Sequence, residues 1–156
     1  MVEPASLSGR FEGKTHIFPI RVYWEDTDAS GIVYHANYLR FAERARTEIL
    51  RLLGVEQSRM FEQTGVAIAM REGRFDCFAP AKLDDLLEVH SIVTAMRGAS
   101  LDVSQRIVKP GKTTGKAAVL FEFHTRFACV TTQGKPTRIP AALKLAFERL
   151  QLPSIP

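Results

Sequence analysis

The chain has 156 residues, 46% hydrophobic and 24% charged, which excludes a disordered polymer and leaves room for one domain without a separate cofactor-binding unit. Lys and Arg number 21 against 17 Asp and Glu; the formal net charge of +4 is too modest for a nucleic-acid-binding tail and suits a small anionic ligand better. Cys77 and Cys129 lie far apart with no CxxC spacing, so both read as small core hydrophobes and no metal site is expected.

Residues 1–15 mix Gly, Ser and Pro with scattered charge and read as a flexible leader to a single domain over 16–152. They carry neither a basic n-region with an apolar run nor an arginine-rich amphipathic face. No window reaches the ~18 apolar residues of a spanning helix, so the expected location is cytoplasmic with no membrane span. Ile17 to Trp24 is β-branched and aromatic and predicts a strand, which stops at Glu25-Asp26-Thr27-Asp28-Ala29-Ser30-Gly31. A long helix follows: Tyr38, Phe41, Ala42, Ala45, Ile49, Leu52 and Leu53 fall on one face, and Gly54 supplies the stop. Leu39 and Leu50 widen its apolar stripe, so a sheet is expected to wrap it.

Beyond the helix the period shortens from 3.6 to 2. Residues 65–79 are mixed, whereas 86–96, 99–109 and 117–130 each predict strands, with Gly98 and Pro110-Gly111 as hairpin turns. Leu143, Ala146, Phe147 and Leu150 return to helical spacing. The order is α+β with antiparallel strands and no βαβ repeat.

Chemistry concentrates between Tyr23 and Tyr38, where three acids, a glycine and a histidine separate a strand from a helix N-terminus. Free N–H groups on a first helical turn can polarise a carbonyl oxygen, and the helix dipole favours an ionised carboxylate nearby. An Asp there can serve as nucleophile or as base toward water. Asp26-x-Asp28-x-Ser30-Gly31 also matches the first half of a calcium loop, but position twelve is Asn37 where a bidentate Glu is required. A phosphotransferase of the haloacid dehalogenase type would need a parallel sheet. Taken singly, these residues are ordinary turn and cap formers: Asp26 reads as a structural acid bonding the turn, and an isolated His35 is more ordinarily a capping or solvated residue.

The whole string Y-W-E-D-T-D-A-S-G-I-V-Y-H-A-N-Y, followed by L-R-F-A-E-R-A-R-T-E-I-L-R, resembles the signature of the hotdog-fold acyl-CoA thioesterases, in the 4-hydroxybenzoyl-CoA thioesterase and YbgC-type branch. Phe78 to Val89 and Ala99-Ser100-Leu101 resemble further landmarks, so the likeness spans 17–150. It implies a long central helix wrapped by a curved antiparallel sheet, and hydrolysis of an acyl-CoA thioester with no metal or organic cofactor. It further implies Asp28 as the catalytic carboxylate and His35 as the residue that opens the helix and assists. Gly31, Val33, Tyr34 and Tyr38 are implied to bind substrate. Ser30 departs from the glycine of many relatives. Arg138 and the basic stretch 97–116 (Arg97, Arg106, Lys109, Lys112, Lys116) are candidates for the nucleotide phosphates, with a solvated strand face as the alternative reading of the stretch. The implied partners are acyl-CoA or an acyl carrier protein, and further copies of the chain in a homotetramer built from dimers. A non-catalytic acyl-CoA-binding domain of the same fold is the alternative function.

Overall fold

The computed structural model describes residues 7–111 and 115–151. Six antiparallel strands form one sheet: β1 (Arg10–Glu12), β2 (Thr15–Arg21), β3 (Ala67–Cys77), β4 (Leu86–Met96), β5 (Ser100–Lys109) and β6 (Ala118–Val130), in the spatial order β1-β2-β4-β5-β6-β3. The helices are α1 (His35–Leu52), α2 (Gln57–Thr64) and α3 (Ala141–Gln151). No described helix is long and apolar enough to cross a membrane.

The long helix lies on one face of the sheet, as its apolar stripe requires. Ala42 and Ala45 are fully buried, and these small side chains let the backbone approach the strands closely enough for the Ala42 carbonyl to accept from Gln105 Nε2 at 3.0 Å. The Gln105 amide also donates to Ser91 Oγ at 3.0 Å, so this buried polar group under the helix has partners for both of its amide hydrogens. Two apolar clusters flank this row. One gathers Tyr38, Phe41, Leu87, Val89, Ile107 and Phe121 near the start of α1; the other gathers Ile49, Leu50, Met60, Leu101, Leu143 and Phe147 near its end.

Several expectations change. The leader ends earlier than residue 15, because Arg10–Glu12 pair with Ile17–Thr15 as a short edge strand. The strand predicted to run to Trp24 stops at Arg21, and Trp24–Asp26 form a 3-10 turn. Pro19 is accommodated in β2 because β1 covers only Thr15 to Ile17, leaving no strand on that side to need its missing N–H. The mixed stretch 65–79 resolves into β3 against β6, with a register shift between Met70 and Glu72. Cys129 is buried as expected, but Cys77 is exposed at the end of the edge strand β3.

Candidate active site

The polar segment between β2 and α1 is held by bonds within its own backbone and by the side chains of Asp26 and Thr27. The Asp28 N–H donates to the Ile32 carbonyl and the Gly31 N–H donates to the Asp28 carbonyl, both at 2.9 Å. Gly31 turns the chain with φ +76°, a conformation in which a side chain would be strained. Thr27 and Val33 bridge across the loop, and the Val33 N–H reaches the Ala81 carbonyl at 2.9 Å. The turn is thereby tied to the segment that follows β3.

The two aspartates of the loop do different work. Asp26 is 3% exposed; its carboxylate accepts from the Tyr23 N–H and from Asn37 Nδ2, each at 2.8 Å, while its carbonyl accepts from the Tyr34 N–H at 2.9 Å. Strand end, loop and first helical turn therefore converge on one buried acid, the structural role expected for it. Asp28 is half-buried and uses Oδ1 to accept from the Ser30 N–H at 2.8 Å, an Asx turn that any residue but proline at position 30 supports. Among the described residues no cation pairs with it, and Oδ2 has no protein partner. The serine that departs from glycine leaves the turn intact.

Tyr34 occupies the N-cap of α1 without a side-chain cap bond, and the first turn holds no acid. The opening N–H groups of α1, beginning at His35, thus lack the usual side-chain acceptor. Asp28, Ile32, Val33, His35 and Tyr38 line one side of a cleft of about 340 Å³, and Cys77, Phe78, Ala79 and Pro80 line the other. Tyr38 closes its inner end. Its ring stacks on Phe121 at 4.9 Å, and its hydroxyl accepts from the Ala81 N–H at 3.0 Å. Burial raises the phenol's pKa above the ordinary value, partly offset by that hydrogen bond, so it stays neutral.

Of the residues singled out from sequence, the structure brings Asp28, His35, Val33 and Tyr38 into this cleft. Gly31 shapes the turn behind it. Tyr34 is 46% exposed and leans on the His35 ring, with centroids 4.4 Å apart, outside the lining. Arg138 lies in another cavity with Arg97 and Lys144, beside Gly98 at the far end of β5. Within the basic stretch, Arg97 pairs with Asp102, Arg106 with Glu122 and Lys109 with Asp85 at 2.6 Å, while Lys112 falls outside the described residues. From sequence, Phe78 to Pro80 of the far wall stand out only as part of a landmark and Cys77 as a small core hydrophobe; an apolar run next to a lone proline carries no chemical signal of its own.

A carboxylate with a spare oxygen, an uncapped helix start and apolar walls in one cleft can hold an acyl group with its carbonyl oxygen at the helix and its carbon before the acid. Comparison with known proteins points the same way. The model of the thioesterase-like superfamily matches residues 22–147. The acyl-CoA thioesterase YbgC of Haemophilus influenzae is 42% identical over 135 residues, covering 86% of this chain and 95% of that protein. The crystal structure of a probable thioesterase from Bartonella henselae aligns with a TM-score of 0.73 at 32% identity, over 81% of this chain and 99% of that one. A 1,4-dihydroxy-2-naphthoyl-CoA thioesterase from Synechocystis shares the fold, with a TM-score of 0.79 at 23% identity over 89% of this chain and 99% of that one.

Proposed function

The chain belongs to the thioesterase-like superfamily, and we propose that it hydrolyses acyl-CoA thioesters to the free acid and the CoA thiol. The observation that carries this reading is the juxtaposition of Asp28, with one carboxylate oxygen uncommitted, and the uncapped start of α1 in a single cleft. The α1 N–H groups polarise the thioester carbonyl. Asp28 either attacks the carbonyl carbon or takes a proton from water that does, and His35 assists from the same cleft. The thiolate then leaves and is protonated as CoA; where Asp28 is the nucleophile, water hydrolyses the resulting acyl-Asp28 anhydride to the free acid and restores the carboxylate.

Substrate is supplied from the cytoplasm as acyl-CoA or as an acyl carrier protein thioester. The working form is a homotetramer built from dimers. Its dimer seam is the free edge of β3, eleven residues long, mostly exposed, and bearing the exposed apolar side chains of Met70 and Phe75. The opposite edge, β1, has only three residues. Arg138 lies far from the Asp28 of its own chain, so a contact with the nucleotide end is one it makes for another subunit's substrate.

Thiol release measured colorimetrically over a panel of acyl-CoAs tests the proposal. Turnover of at least one acyl-CoA is expected, whereas saturable binding of every acyl-CoA without thiol release would identify a binding domain instead.

A further inference from the structure

Among the described residues one buried side-chain nitrogen has no hydrogen-bond partner, Nδ1 of His16, and the acid cleft makes no use of it. His16 is fully buried in β2, where its ring packs against Phe11 of β1, with centroids 5.3 Å apart, and against Phe18 at 6.3 Å. Its Nε2 lies 2.7 Å from the Ser8 carbonyl oxygen. A carbonyl only accepts, so Nε2 holds the ring hydrogen and Nδ1 keeps a bare lone pair. Ser91, its cross-strand neighbour on β4, accepts instead from Gln105 Nε2 at 3.0 Å.

Ser8 opens a strap, residues 8–12, that is fastened to the sheet and to α1. The Gly9 backbone runs so close to β2 that a Cβ there would sit 2.3 Å from the Ile17 carbonyl oxygen, Arg10–Glu12 pair with residues 15–17, and Ser8 Oγ donates to Glu48 Oε2 of α1 at 2.5 Å. One fastening is thus a titratable ring. A proton added to that ring would create an N–H at Nδ1, buried where no acceptor stands, and a charge with it. Burial accordingly holds the His16 pKa below the ordinary 6.5, against weaker opposing pulls from the Ser8 carbonyl and the Glu48 carboxylate. The other charges of the packed elements are engaged elsewhere. Arg51 sits 3.7 Å from Glu48 and Arg46 donates to Gln105, while Arg10 and Glu12 of β1 and Glu88 and His90 of β4 pair with one another on the outer face, at register positions alternate to His16.

We propose that His16 is an acid-sensitive latch, whose protonation frees the strap of residues 8–12 and bares the edge of β2. This rests neither on the thioesterase reading nor on the β3 seam. A ring released to water places both of its N–H groups on solvent, so proton binding favours the open strap. The docked strap is fully favoured above the ordinary histidine value of about 6.5; it loses ground as pH falls below that value and levels off beneath the lower one of the docked ring. Between pH 7.5 and 5.0 a single group of this kind shifts the opening equilibrium by at most about thirtyfold. With β1 released, β2 becomes the margin of the sheet and presents unpaired backbone groups from Thr15 to Arg21.

Hydrogen exchange of residues 8–17, read by mass at pH 7.5 and 5.0 and corrected for intrinsic exchange, tests the latch in wild type and in His16→Gln, whose amide can still donate to Ser8 but takes up no proton. At pH 5.0 the wild-type strap is expected to lose protection by roughly fivefold to thirtyfold while β5 and β6 keep theirs, and the His16→Gln strap to change by less than about twofold. The lower pH stays above the ordinary glutamate value of about 4.3, so Glu48 keeps its charge throughout. Equal loss in the two proteins, or no loss in wild type, would overturn the proposal. Should His16→Gln leave the strap open at both pH values, the imidazole nitrogen resonances of wild type decide: a proton reaching Nδ1 as strap protection falls upholds the latch, and a ring that protonates with the strap still protected overturns it.

Discussion

Carboxylates crowd two regions of this molecule, the loop before α1 and the face of the sheet turned away from α1, and the two regions treat them in opposite ways. On the outer face several acids and bases meet their opposites in ion pairs. Asp102 accepts from Arg126 Nε and Arg97, each at 2.8 Å, and Arg126 reaches on to Glu72 at 2.8 Å. Hydrogen bonds from Arg126 and then Arg97 hold the Asp102 carboxyl below the usual carboxylate range. In the loop, Asp26 and Asp28 meet backbone N–H groups and an amide and have no cation among the described residues. Charge density alone does not mark a reactive place. The outer face has more charges and a groove of comparable size, yet its Asp102, Glu72 and Glu122 are taken up in ion pairs.

Substitutions that keep shape and remove charge sharpen this contrast. The largest effect is expected from Asp28→Asn, which preserves the Asx turn but supplies neither nucleophile nor base; turnover should fall by about 10²–10⁴-fold with the melting temperature nearly unchanged. Asp26→Asn comes next and acts on folding. An amide placed between the Tyr23 N–H and Asn37 Nδ2 leaves one buried donor without an acceptor, a loss of about 1–3 kcal/mol readable by denaturant titration, with the folded fraction retaining turnover. His35→Ala keeps the helix-start N–H and removes only the imidazole. A fall on the order of tenfold in kcat, smaller than that of a lost general base, is the expected kinetic result.

Smallest of all is Asp102→Asn on the outer face, where exposed ion pairs are worth about 0.2–1 kcal/mol and weaken with salt. The sign of its pH dependence follows from the lowered carboxyl. Such a group stabilises the fold above the unfolded carboxylate pKa, near 3.9, and loses that contribution as pH falls through its lower folded value. Thermal melts of Asp102→Asn should therefore differ from wild type at neutral pH and converge with it in strong acid.

How much of this was legible in the sequence depended on whether a signal was periodic, local or long-range. The amphipathic repeat of α1 and the alternation of β4, β5 and β6 are periodic and were read to within a residue or two. The short α2 has only Met60 buried, too little for a helical period, although Gly65 at φ 68° marks its end in hindsight. β3 was indistinct because an edge strand exposed along most of its length does not alternate. The acid loop was legible as a string, since the division between a cross-linking Asp26 and a free Asp28 follows from local hydrogen bonds. The opposite wall of the cleft was not, because Phe78 to Pro80 are brought there by long-range bonds, among them the Phe78 N–H to the Leu120 carbonyl at 2.8 Å and the Val33 N–H to the Ala81 carbonyl at 2.9 Å. Nor could residue types alone show that Lys109 is spent on Asp85 or that Arg138 faces a different cavity.

The account stands or falls on one side-by-side measurement: thiol release from the best acyl-CoA by Asp28→Asn and Asp102→Asn proteins at equal folded concentration. The same chemical change is made in the two contrasted regions. A turnover ratio of at least ~10² in favour of Asp102→Asn is the predicted result, because only Asp28 supplies the carboxylate that attacks or deprotonates water. Turnover by Asp28→Asn within a few-fold of Asp102→Asn would contradict it, and would show that the acid loop shapes the start of the helix without performing the chemistry.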